Sequence, residues 1–124
     1  MGDTVTDFLA ALAPTVRAVT ADVVGAVQNC ADFDVAVKWR QLTFALDGDF
    51  DHWVCAVAAS RDRVELKLHF GSLLTDPAQV FVTDSSKFVR KLRFQTSPEP
   101  TLIADYVTRA VRALPEFRRV WQNR

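Results

Sequence analysis

The sequence predicts an α+β fold, a two-layer sandwich with N-terminal and C-terminal helices packed on one face of an antiparallel sheet of about five strands. Three observations predict it. Apolar residues recur at steps of three and four up to Cys30 and again beyond Thr101. Between Asp32 and residue 96 the apolar period falls to two. Asp47-Gly48 and the stretch Ser60–Arg63 punctuate that region with turn chemistry, so the strands follow one another as a meander.

Each element has its own signal. A short first helix opens with Thr4 or Thr6 as N-cap and shows Phe8, Leu9 and Leu12 on one side. Pro14 suits the first turn of a second helix, whose stripe is Val16, Val19, Val23, Val27 and Cys30. Gly25 interrupts that helix at a cost of about 1 kcal/mol against alanine, which implies close packing against another element. Strands are expected at 35–40, 42–47, 52–60, 63–70 and 88–96. In "VKWRQLTFALDG" the alternation sends Val37, Trp39, Leu42, Phe44 and Leu46 inward and Lys38 and Arg40 outward. Trp53 is read as inner core as well. Val64, Leu66, Leu68 and Phe70 point inward in the fourth strand, with Glu65, Lys67 and His69 outward. Residues 70–86 read as irregular, with one helical turn after Pro77. Ser97 or Thr101 caps the last helix, Leu102, Ile103, Tyr106, Val107, Ala110, Val111 and Leu114 form its stripe, and Pro115 ends or kinks it.

Length and composition narrow the function classes. The chain has 124 residues, 49% apolar and 24% charged, which is ordinary for one globular domain spanning 1–124. No apolar run approaches the ~18–20 residues of a membrane span. Aspartates stand where a signal peptide would be basic, so a soluble, cytoplasmic protein with no membrane role is expected. Cys30 and Cys55 are far apart and form no metal or disulfide motif; both are read as inert thiols. Formal net charge is zero but unevenly spread. Residues 1–34 hold five aspartates and one arginine, while residues 87–124 hold nine basic side chains against three acidic ones. Such a chain can form an acidic and a basic face, or its two ends can lie side by side and neutralise each other.

The motifs for catalysis are missing. The serines have no nucleophile-elbow context, no glycine-rich loop precedes a helix, and no HExxH spacing occurs. Asp47, Asp49 and Asp51 resemble a calcium loop only in spacing, because Gly48 comes too early and no glutamate closes the loop. They are read as a solvated hairpin tip. Nucleic acid is an unlikely partner despite Arg109, Arg112, Arg118, Arg119 and Arg124, since no recognition motif accompanies them.

Several short stretches then carry a resemblance: Lys38-Trp39, Thr43-Phe44, His69-Phe70-Gly71, Leu74-Thr75-Asp76-Pro77 and Lys87-Phe88-Val89-Arg90. Together they resemble the YdhG-like family, domain of unknown function 1801, most specifically from residue 37 to residue 93. Leu42 stands where that family often has proline, and Asp84-Ser85-Ser86 replaces a more glycine-rich turn. The resemblance implies a frataxin-like sandwich. It also implies an iron-chaperone role for weakly bound iron.

Two surfaces therefore compete. Iron handling needs exposed carboxylates, and Asp3, Asp7, Asp32 and Asp34 are the metal-ligand candidates, with Asp22 nearby in the chain. The plainer reading is that two of these aspartates are caps and the rest are solvated. The second surface is the outer sheet face. There Lys38, Lys67, His69, Lys91 and Arg93 are expected to ring an apolar centre of Val54, Ala56 and Ala58, a place for a small anion or a protein partner. Such lysines also occur as a plain solvated face. The expected function is a non-enzymatic binding module, monomeric or homodimeric.

Overall fold

Loop length decides the topology. Residues 39–40 join the first two strands and residues 60–63 the third and fourth, both too short for a parallel crossover. In this computed structural model, which describes residues 3–82 and 86–122, the order is α1 (Thr4–Ala10), α2 (Pro14–Gln28), β1 (Asp34–Lys38), β2 (Gln41–Ala45), β3 (Cys55–Ala59), β4 (Val64–Leu68), β5 (Arg90–Phe94) and α3 (Pro100–Gln122). The strands form a sheet in the order β1-β2-β3-β4-β5, each antiparallel to its neighbour. The expected α+β meander is thus present. Asp84-Ser85 and Arg124 lie outside the described residues.

One face of the sheet carries the helices. Val16, Val23 and Val27 from α2 and Ile103, Tyr106, Val107, Ala110, Leu114 and Phe117 from α3 meet Leu42, Phe44, Val57, Leu66, Leu68 and Leu92 in one buried cluster. Each large apolar side chain among them contributes about 1.5–3 kcal/mol on burial, which is what fixes the two layers together.

Four local expectations are corrected. Asp3, not Thr4 or Thr6, caps α1, its carboxylate accepting from the Val5 N–H at 2.9 Å. The Ser97 hydroxyl donates to Asp22 at 2.6 Å instead of capping α3, and so ties the strand-to-helix link to α2. α3 runs through Pro115 to Gln122 because Phe117 is fully buried and Arg118 is anchored beyond the proline. A Cβ at Gly25 would meet nothing within 4 Å, so that glycine marks open space and not close packing.

The loop between β4 and β5 is ordered by polar contacts. Its helical turn is a 3-10 turn at Gly71–Leu73, ahead of Pro77 and not after it. The Asp76 carboxylate accepts from the Val80 and Phe81 amides, each at 2.9 Å, and from the Tyr106 hydroxyl on α3. Arg17, the one cation of residues 1–34, donates to the Leu9, Ala10 and Leu12 carbonyls and closes the end of α1. Among the described residues the C-terminal arginines form ion pairs with Asp49, Asp105 and Glu116, none of them in the first 34 residues.

Candidate functional site

Strand alternation places Asp34, Ala36 and Lys38 of β1, Thr43 and Ala45 of β2, Ala56 and Ala58 of β3, Glu65 and Lys67 of β4, and Lys91 and Arg93 of β5 on the face away from the helices. That face is not bare. Ala45, Trp53 and Ala56 form a second small buried cluster, with Phe50 and Val89 packed on it. The loop after β2 therefore folds back over the sheet. Val54, expected at the centre of this face, belongs instead to the main core.

The cations divide into two places. Lys67 and Lys91 sit directly opposite each other, and Glu65 faces Arg93 in the adjoining row. The Glu65 carboxylate accepts from Arg93 Nε at 2.9 Å and lies 3.7 Å from Lys91 Nζ. Burial alone would raise the Glu65 pKa; the Arg93 hydrogen bond and the charges of Lys91, Arg93 and Lys67 outweigh it and lower it. Alternation along β4 predicts that Glu65 points outward, but it does not predict a carboxylate set among three cations. Lys38 stands apart, three strand spacings or about 14 Å across the sheet, with its ammonium over the Phe50 ring at 5.4 Å.

His69 does not join the basic face. Leu68 and Phe70 on either side of it enter the main core, while His69 is covered by the Trp53 ring that the loop after β2 folds over this face. His69 is 8% exposed, stacks on Trp53 with ring centroids 4.2 Å apart, and places Nδ1 3.1 Å from the Trp53 carbonyl. A carbonyl only accepts, so Nδ1 carries the proton. Burial pushes the His69 pKa down to about 4, against the pull of that hydrogen bond. The ring is neutral at pH 7.

Next to it lies a cluster that no periodic pattern announces. Asp49 is not a solvated tip: its carboxylate caps the 3-10 turn Phe50–His52, meets His52 Nδ1 at 2.8 Å and accepts from Arg118 Nε at 3.1 Å. Burial works to raise the Asp49 pKa, but the His52 and Arg118 hydrogen bonds prevail and lower it. His52 and His69 both approach the Trp121 ring, at 5.8 and 5.6 Å. Only the Asp-x-x-His spacing in "DFDH" hints at the pair from sequence. Its partner Arg118 is 69 positions away.

Trp39 is corrected too. It is 67% exposed, because Trp39 and Arg40 form the two-residue turn between β1 and β2, both at positive φ. Positive φ at both positions is the type I′ hairpin geometry, ordinarily filled by Asn-Gly. Trp53 is buried as expected, but in the small cluster with Ala45 and Ala56.

Two of the metal candidates, Asp3 and Asp7, lie one helical turn apart at the start of α1, the Asp7 N–H donating to the Asp3 carbonyl at 2.9 Å. The Asp3 carboxylate caps α1, the Asp34 carboxylate accepts from the Gly48 N–H at 2.6 Å, and Asp7 and Asp32 are exposed. No three His, Cys, Asp or Glu side chains among the described residues form a group able to hold a metal ion. Burial raises the pKa of both thiols, Cys55 most, which leaves them poor nucleophiles. No helix among the described residues is long and apolar enough to cross a membrane.

A solved structure resembles this arrangement: the crystal structure of a protein from the domain of unknown function 1801 family, YdhG of Bacillus subtilis. It superposes with a TM-score of 0.58 at 17% sequence identity, over 86% of each chain. The two proteins share a fold. No family model matches the sequence, and no curated protein matches it either.

Proposed function

We propose that this chain is a non-enzymatic binding module that takes an anionic group on the outer face of β4 and β5. The observation supporting this is the direct opposition of Lys67 and Lys91, with Arg93 and Glu65 in the adjoining row. Like charges facing each other across a strand pair destabilise it by a few tenths of a kcal/mol or more. Glu65 already serves Arg93 and Lys91, and Lys67 makes no ion pair among the described residues. A phosphate or carboxylate group near Lys67 would relieve that repulsion.

Inorganic phosphate titrated into the protein at low salt, followed by amide NMR, tests this. Shifts are expected at Lys67, Lys91 and Arg93, weakened by salt and lost in Lys67→Ala. Shifts elsewhere, or none, would sink the assignment. The frataxin-like iron role belongs to the resemblance. Its donors would be Asp3, Asp7, Asp32 and Asp34, no three of which form a metal-holding group among the described residues. An anaerobic Fe²⁺ titration run in parallel discriminates: broadening confined to those four aspartates would favour iron handling over anion binding.

A further inference from the structure

The two edges of the sheet are treated differently. The β5 edge is covered, since Val82 bridges Lys91 and its N–H donates to the Lys91 carbonyl at 2.8 Å. β1 has no strand on its outer side among the described residues. The turn at Trp39-Arg40 closes on the pair Lys38–Gln41. In a two-residue hairpin that closing pair is hydrogen-bonded, and bonded pairs alternate from there. Asp34, Ala36 and Lys38 therefore bond to β2, while Val35 and Val37 direct N–H and C=O outward. No backbone hydrogen bond outside the ladder reaches either valine among the described residues. An edge of this kind is a template for another strand.

We propose that β1 pairs antiparallel with β1 of a second copy about a two-fold axis at Ala36. The strand reads Asp-Val-Ala-Val-Lys, and it is complementary to itself. With Ala36 opposite Ala36 of the second copy, Val35 falls opposite Val37, a bonded pair that uses all the outward groups of both residues. Asp34 then falls opposite Lys38, twice over, on the outer face. Those are non-bonded positions, where side chains stand closest. A one-residue slip would break both the backbone match and the charge match. The exposed apolar groups agree with this register. Val37 is 50% exposed on the helix side and would be covered by Val35 of the second copy. Trp39, 67% exposed at the strained turn, would be carried toward Phe33 of the second copy. The result is a continuous ten-stranded sheet and a C2 dimer. The pairing does not depend on the anion site, which lies at the far edge.

The test is the mass of the full chain by light scattering and sedimentation. A dimer is expected for the wild type. Val37→Pro removes one outward N–H, leaves the β2 ladder untouched, and is expected to weaken dimerisation at least tenfold with the circular dichroism unchanged. Lys38→Asp and Asp34→Lys are each expected to be monomeric alone, because like charges then face each other at both ends. Mixing these two variants restores the opposite pairs and is expected to yield a heterodimer. A monomeric wild type, a dimer indifferent to Val37→Pro, or a mixture that stays monomeric would each overturn the proposal. Should Val37→Pro fail to fold, the charge-swap mixture still decides.

Discussion

His69 shows how far one residue's role depends on what covers its strand. The neutral ring stacked on Trp53 has a pKa near 4, below its ordinary 6.5. An unfolded chain therefore binds a proton between those values that the folded one refuses. Stability is full above pH 6.5, falls as pH drops toward 4, and levels off below; the loss is at most about 3 kcal/mol. Urea unfolding of the wild type is expected to show a clearly lower midpoint at pH 5 than at pH 7, a difference that His69→Gln reduces. Equal wild-type midpoints would show that the ring is not held neutral. Asp76 makes a complementary case. Burial opposes its charge, yet the Tyr106 hydroxyl and the Val80 and Phe81 amides lower its pKa. Asp76→Ala is expected to cost about 2 kcal/mol in thermal or chemical unfolding, by freeing the β4–β5 loop from α3.

At the scale of elements, two glycines separate open space from close approach. Gly25 lies mid-helix, and a Cβ added there would find nothing within 4 Å, so Gly25→Ala is expected to stabilise the protein by about 0.5–1 kcal/mol. A Cβ at Gly71 would fall 2.5 Å from Arg90 Cβ and 3.0 Å from the Arg90 amide nitrogen. Gly71→Ala must therefore push the 3-10 turn off β5, at a cost of about 1–3 kcal/mol. Paired melting curves of the two variants should move in opposite directions. A glycine inside a helical stripe invites a packing explanation, and one in an irregular loop does not. Here the close approach is at the loop glycine, because a linear pattern does not say which glycine meets a neighbouring strand.

Across the whole molecule, the Asp49–Arg118 contact joins the loop after β2 to the last turns of α3. A proline inside a helix costs about 3 kcal/mol, so the segment after Pro115 depends on tertiary contacts such as this one and the burial of Phe117. Asp49→Ala is expected to speed amide hydrogen exchange through residues 116–122 while leaving β3 and β4 protected. Uniform acceleration would show instead that the contact supports the whole fold. The Asp49 pKa is lowered, so the contact's contribution is present above the ordinary carboxylate range and is lost as pH falls through its folded value.

Period and turn chemistry are enough to specify the α+β class, the meander, the inward sets of β2, β4 and α3, and the outward placement of Lys67, Lys91 and Arg93. Those signals are local and repeat over many residues, so a single misread position does not change them. They fail where a loop covers the sheet or a period stops. His69 lies under the Trp53 ring and is buried; Trp39 lies one residue past β1 and is exposed. The capture of the Gly48 amide by Asp34, the meeting of Asp49 with Arg118 and the edge position of β1 are likewise products of folding in three dimensions. They depend on which distant segments share a layer, and at a strand end a difference of one residue reverses the direction of a side chain.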